Sequence, residues 1–131
     1  MQQCPARCSV ITMHHPLFSS GEHGPNPVVT PLWRTAVRHR TDVALGGHDH
    51  DYERFRRMNA SGTITRDGIA SFVSGAGGKT LYPFGAPTTG SVVRHNDTFV
   101  VLALRLGTGV YAWEYKTIAG DVIDSGTRQC R

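Results

Sequence analysis

The chain has few cysteines, no long apolar run, no basic tract interleaved with aromatics and no low-complexity segment. Each of these absences excludes something. No apolar run approaches the ~20 residues that a bilayer-crossing helix requires, so no membrane span is expected. Nucleic acid is not an expected partner either, because the arginines are scattered rather than arranged in a basic stripe with stacking rings. The densest glycine run, Gly75-Ala76-Gly77-Gly78, lacks the spacing of a nucleotide-binding fingerprint and no helical pattern follows it. It reads as a turn at the rim of a site. The opening Met1-Gln2-Gln3-Cys4-Pro5-Ala6-Arg7 leads into a short strand-like run and not into the apolar core of a secretory signal. That predicts either a cytoplasmic chain or a true start farther upstream.

The three cysteines, Cys4, Cys8 and Cys130, sit at the two ends. Their pairing is open from sequence. A bridge between Cys8 and Cys130 would close nearly the whole chain into a loop and, in an oxidising compartment, would stabilise it by roughly 4 to 5 kcal/mol in the chain-entropy account.

What is present fits one small domain. The length of 131 residues suffices for a buried core, and no linker or internal repeat divides it. The net charge of +4 comes largely from Arg34, Arg38, Arg40, Arg54, Arg56, Arg57 and Arg66, a field that suits an anionic substrate or simply solvates one face. In chain order, Ser9-Val10-Ile11-Thr12-Met13 reads as a buried strand ending at His14, stopped by Pro16. A loop rich in Gly, Pro and Ser follows. Val29, Leu32, Trp33, Ala36 and Val37 then mark the buried face of a helix. Its start is either Asn26 with Pro27 or Thr30 with Pro31, and Pro31 predicts a kink or the later start. Asp42 to Leu45 is the next strand, so residues 9–50 form a strand-helix-strand unit of a parallel sheet.

Beyond residue 50 the pattern changes to short, alternating strands: Glu53 to Met58, Ile69 to Ser74, Thr98 to Leu106, Val110 to Tyr115 and Asp121 to Ser125. Residues 51–131 are therefore read as β-rich and mostly antiparallel, with a hairpin closed by Gly107-Thr108-Gly109.

Gly47-His48-Asp49-His50 follows the second strand. Ligands of parallel sheets collect at the carboxyl ends of strands, so His14 and His48 should face one cleft despite their distance in sequence. Neutral imidazoles bind zinc, iron and manganese well. His14, His48 and His50 are the candidate metal ligands. His39 and His95 are read as surface residues, and Asp49 as shaping the turn.

These stretches together resemble a known family. Ile11-Thr12-Met13-His14-His15-Pro16, then Gly47-His48-Asp49-His50 with Tyr52-Glu53-Arg54, then Val73-Ser74-Gly75-Ala76-Gly77-Gly78, are similar to the carboxy-terminal half of a calcineurin-like metallophosphoesterase of the purple acid phosphatase branch. The resemblance implies an α/β fold, half of a four-layer α/β/β/α sandwich, in which this chain is one partial domain. It implies a phosphomonoesterase with two metal ions (iron, zinc or manganese) and a hydroxide held between them. His14 and His48 would bind one ion and His50 the other. His23 would donate a proton to the leaving group and contact the substrate, and His15 would line the substrate pocket. Tyr52 and Arg54 match residues after the motif and are read as packing with a salt bridge. A secreted or periplasmic location is implied, in keeping with the terminal cysteines.

The departure from that family is as specific as the match. In the family the Asp-x-Gly or Asp-x-His, Gly-Asp-x-x-Tyr and Gly-Asn-His motifs that supply the remaining ligands, including the bridging carboxylate, precede this region, and none stands ahead of the first strand here; the Asp-x-Gly at Asp124-Ser125-Gly126 lies in the β-rich part. The expected partners are thus a phosphate ester and a missing amino-terminal half. Two other readings stay open: a non-catalytic module holding one ion, and a remnant completed by a partner chain.

Overall fold

A computed structural model describes residues 8–131. Cys4 and the opening residues lie outside them. The elements are β1 (Val10–Thr12), a 3-10 turn (Pro27–Val29), α1 (Thr30–Arg38), β2 (Val43–Gly46), β3 (Tyr52–Phe55), β4 (Ala70–Ser74), β5 (Ser91–His95), β6 (Val100–Leu106), β7 (Val110–Thr117) and β8 (Val122–Gln129).

Two sheets result. The first has the order β1-β2-β4-β3-β5, with β1, β2 and β4 parallel and β3 antiparallel to both its neighbours. The second is the antiparallel sheet β6-β7-β8. Alternation along the strands assigns their two faces. Val43, Tyr52, Phe72, Tyr111, Trp113 and Tyr115 form the core between the sheets, whereas Ala44 and Ile69 pack with Leu17, Trp33 and Ala36 beneath α1. The layers are helix, sheet and sheet. This is the mixed α/β architecture, with its strand-helix-strand opening and mostly antiparallel remainder, that the sequence predicts; β4 is the exception in that remainder, parallel to β2.

Each proposed helix start is used only in part: Asn26 caps a 3-10 turn and not the α-helix, and Thr30 is the first residue of α1, whose N-cap position is held by Val29 without a side-chain cap. The Asn26 side chain accepts from Val28 N and caps the 3-10 turn, and α1 then begins at Thr30 with Pro31 in its first turn, where the missing N–H costs nothing. Leu32 departs from the expected buried face: it is 43% exposed, whereas Trp33 and Ala36 are buried and Val29 and Val37 pack against the same cluster. At the helix end Arg40 takes a positive φ of 58°, and Thr41 N returns to Ala36 O, so the chain turns directly into β2.

β5 is absent from the sequence reading and pairs with β3 across a register shift at Arg54/Phe55, which also ends β3 at Phe55. Met58, expected within that strand, instead makes isolated bridges to Ile64 and Ile69. His95 belongs to β5 and is only partly exposed, not a free surface residue.

One polar knot ties the sheets. Asp124 of β8 accepts from Arg54 Nε at 2.6 Å and Nη2 at 3.1 Å, from Trp113 Nε1 at 3.0 Å, and from the Tyr52 hydroxyl. Tyr52 also stacks on Tyr115. Tyr52 and Arg54 thus do what packing with a salt bridge predicts. The Cys8–Cys130 disulfide is present and joins the start of β1 to the end of β8.

Candidate metal centre

Parallel pairing of β1 with β2 sets the site. The register Val10↔Val43 to Thr12↔Leu45 is prolonged by Met13 N to Leu45 O and Gly47 N to His14 O, so His14 stands level with Gly47. Asp49 N then donates to Gly47 O at 2.8 Å, closing a three-residue turn around His48. His48 sits at the centre of that turn with φ 64°, a conformation uncommon outside glycine but tolerated by histidine more than by most residues.

The turn brings His48 to His14. His14 Nε2 and His48 Nδ1 are 3.1 Å apart, and the ring of His15 stands 4.1 Å from that of His48 and 5.0 Å from that of His14, centroid to centroid. One ligand nitrogen from each of His14, His15 and His48 can be chosen so that all lie within 4.8 Å of one another. Two nitrogens sharing one ion at about 2.0–2.1 Å would stand roughly 3.0–3.4 Å apart. The observed pair fits. Burial first, then the rings of His15, His23 and His14, hold the His48 pKa below the ordinary histidine value, against a smaller opposite pull from Asp49. The ring is thereby kept neutral, as a ligand must be.

His50 is set apart from this trio. Its Nδ1 lies 2.9 Å from Thr80 O, and a carbonyl only accepts, so Nδ1 carries the proton and Nε2 is left as the lone pair. The ring stacks on Tyr82 at 4.1 Å. His14 and His48 are therefore brought together, His15 joins them, and His50 stands on the other side of Asp49 with a separate free nitrogen.

His23 also comes to the site. Its ring is 4.4 Å from that of His48 and 5.2 Å from that of Tyr82, and its backbone N and Nδ1 both reach Asp49 Oδ1, at 2.8 and 2.9 Å. Asp49 is completely buried and its other oxygen accepts from Ser19 Oγ. It does more than shape the turn. Farther in, Glu53 accepts from Ser20 N at 2.6 Å and Ser20 Oγ at 2.7 Å, which anchors the same loop. Asp51, between the two, has both oxygens buried without a hydrogen-bond partner among the described residues; burial, then Asp49 and Glu53, push its pKa up to about 8.

Sequence reasoning did not find Tyr82 or the role of Asp49. An acid between two candidate ligand histidines is a signal that could have pointed to the second. Tyr82 has no local signal. His39, predicted at the surface, is exposed. The arginine field does not converge here either: Arg40, Arg57 and Arg66 line a cleft with Arg131. Arg40 precedes β2 and Arg66 precedes β4, so this is the end of the sheet opposite the histidines.

No family model matches the chain, and no curated protein does. Solved structures do. The chain is similar to a purple acid phosphatase, PPD1, isolated from yellow lupin (Lupinus luteus) seeds, with a TM-score of 0.76 and 24% identity over 92% of this chain and 24% of that one. It is also similar to GAP50, described as the anchor in the inner membrane complex of Plasmodium, with a TM-score of 0.80 and 16% identity over 95% of this chain and 37% of that one. The chain thus spans well under half the length of the structures it matches. At these identities the likeness is one of fold, and the fold is metallophosphoesterase-like.

Proposed function

We propose that this chain is the carboxy-terminal half of a metal-dependent phosphoric ester hydrolase of the acid phosphatase type. The observation that carries the reading is the 3.1 Å approach of His14 Nε2 to His48 Nδ1 beside a separately free His50. In this reading His14 and His48 hold one ion, with His15 against them, and His50 holds a second. Iron, zinc and manganese all suit imidazole nitrogens. Such ions would supply Lewis-acid charge for phosphate oxygens and lower the pKa of a bound water. The chain's own residues would do the rest: His23 gives a proton to the departing alcohol oxygen, and His15 lines the space for a phosphomonoester. The resemblance implies that the bridging carboxylate would come from the other half, because the Gly-Asp-x-x-Tyr motif that carries it does not occur in this sequence. The disulfide suits a secreted or periplasmic location.

The test is co-expression with the polypeptide encoded directly upstream of Met1, or with the amino-terminal half of a relative. Hydrolysis of p-nitrophenyl phosphate with added iron, zinc or manganese should appear only with both halves and vanish in His48→Ala. An upstream frame without Gly-Asp-x-x-Tyr and Gly-Asn-His, together with no recovered turnover, would sink the reading.

The His14, His15 and His48 cluster favours one second reading, because three nitrogens from this chain alone meet the needs of a single ion. That second reading is a non-catalytic, one-ion module. Metal stoichiometry in the completed protein separates the two: two ions per chain for the hydrolase, one for the module.

A further inference from the structure

We infer that Asp49 is the positioning residue of His23, fixing its imidazole in the Nδ1–H tautomer and leaving Nε2 as the nitrogen free to exchange a proton. The geometry is specific. A single carboxylate oxygen, Asp49 Oδ1, takes both the backbone N–H of His23 at 2.8 Å and the ring Nδ1–H at 2.9 Å. That chelate fixes the main chain and the ring of one residue at once. An ionised carboxylate only accepts, so Nδ1 must be the donor, and in the neutral ring the lone pair falls to Nε2. Asp49 is itself held: it is fully buried, its Oδ2 accepts from Ser19 Oγ, and Ser19 Oγ in turn accepts from Gly21 N at 3.0 Å.

Anchoring of the loop does not account for the contact. Ser20 already ties this segment to Glu53 through its backbone N and its hydroxyl, and Gly85 N donates to Ser20 O at 2.7 Å. The bond from Asp49 to the imidazole adds ring orientation to a loop that is secured elsewhere. The same bond serves both protonation states, since Nδ1–H donates whether or not Nε2 is protonated. A donor in that setting passes its Nε2 proton to the oxygen of the breaking P–O bond and returns to the tautomer it already occupied. This catalytic consequence rests on the proposed phosphoesterase reading; the tautomer assignment does not.

The experiment is long-range proton-nitrogen correlation NMR on the whole chain, with 15N-labelled histidine, free of metal, at about pH 8.5, where neutral imidazole predominates. His23 should show a protonated Nδ1 and an unprotonated Nε2. In Asp49→Ala the ratio of Nδ1–H to Nε2–H should fall at least about tenfold, as expected for loss of a charge-assisted hydrogen bond. Asp49→Asn, whose amide oxygen still accepts, should keep the wild-type pattern. An Nε2–H tautomer in the wild type overturns the assignment outright, even if a variant fails to fold, and so does an unchanged ratio in a folded Asp49→Ala. No metal, substrate or turnover enters the measurement, so a failed phosphatase assay and a failed tautomer assignment remain distinguishable.

Discussion

His14 Nε2 and His48 Nδ1 meet at 3.1 Å although 34 residues separate them in the chain. The meeting is a product of register: β1 and β2 run parallel, Gly47 N reaches His14 O, and the turn at His48 delivers the second ring to the first.

That relationship makes metal affinity the first measurement. Removing a second-sphere group typically costs about 10- to 100-fold in affinity, and loss of a direct ligand should cost at least about 100-fold. Zinc binding measured by calorimetry should therefore fall at least about 100-fold in His14→Ala and in His48→Ala. His50→Ala should leave this ion's affinity within a few-fold of wild type, because His50 faces Thr80 and Tyr82 instead. His15→Ala decides whether that ring is a ligand or a pocket wall. Affinity should weaken as the medium is acidified, because imidazole must be neutral to bind the ion.

Asp51 predicts a stability change in the opposite direction from most carboxylates. Its folded pKa is raised to about 8, against about 3.9 in an unfolded chain, so the folded state holds a proton that the unfolded state has released throughout that interval. Stability should fall as pH rises through it, by at most about 1.4 kcal/mol per unit, and the loss should be complete above pH of about 8. His48, with its lowered pKa, acts the other way below about pH 6.5, where stability gains as protons leave the unfolded chain. The cleanest window is therefore about pH 6.5 to 8. Urea midpoints should drop across it in the wild type and stay flat in Asp51→Asn; a flat wild-type profile contradicts the prediction.

Asp124 supports the structure beneath the site without touching it. Arg54 is 12% exposed, and with Trp113 and Tyr52 it depends on this one carboxylate. Asp124→Ala would leave a largely buried guanidinium without a counter-charge, a loss of at most about 3–5 kcal/mol, the range for a fully buried pair. The double replacement Arg54→Met with Asp124→Leu removes both charges and should recover much of that loss in urea unfolding. Zinc affinity of the folded Asp124→Ala protein should match wild type.

The parts that could be read in the sequence are those governed by local rules. Ser9 to Met13 and Asp42 to Leu45 are short apolar runs with clear punctuation, and Pro27 and Pro31 mark the helix entry. The His-x-His spacing after a strand marks out His48 and His50 as candidate metal ligands. β5 could not be read this way: its apolar content is Val92 and Val93, and as an edge strand it leaves Val92 45% exposed. It exists because β3 offers an unpaired edge, which is a tertiary fact. Leu32 follows the helical period yet finds no sheet beneath it. The same limit applies at the site, where Thr80 and Tyr82 reach His50 through a loop whose path depends on packing. Asp49 looked like turn chemistry because its partners Ser19 and His23 lie in the preceding loop.

Gly75 couples the β4 strand end to the histidine turn and provides the last prediction. Its backbone N donates to Asp51 O at 3.0 Å, and a Cβ built on it would overlap the carbonyl oxygen of Asp49 and stand 3.3 Å from His50 Cα. Backbone on both sides leaves no flexible side chain to yield. Gly75→Ala must therefore displace the Asp49–His50 peptide, and overpacking of this kind typically costs about 1–3 kcal/mol. The displacement acts on the segment that carries both His48 and His50, so zinc affinity should fall together with stability. By contrast, nothing among the described residues lies within 4 Å of a Cβ at Gly77, two residues on in the same glycine run. Gly77→Ala should leave the urea midpoint and zinc affinity close to wild type. Equal behaviour of the two variants would show that the glycine run is a passive turn and that close approach of Gly75 to Asp49 does not hold the site in place.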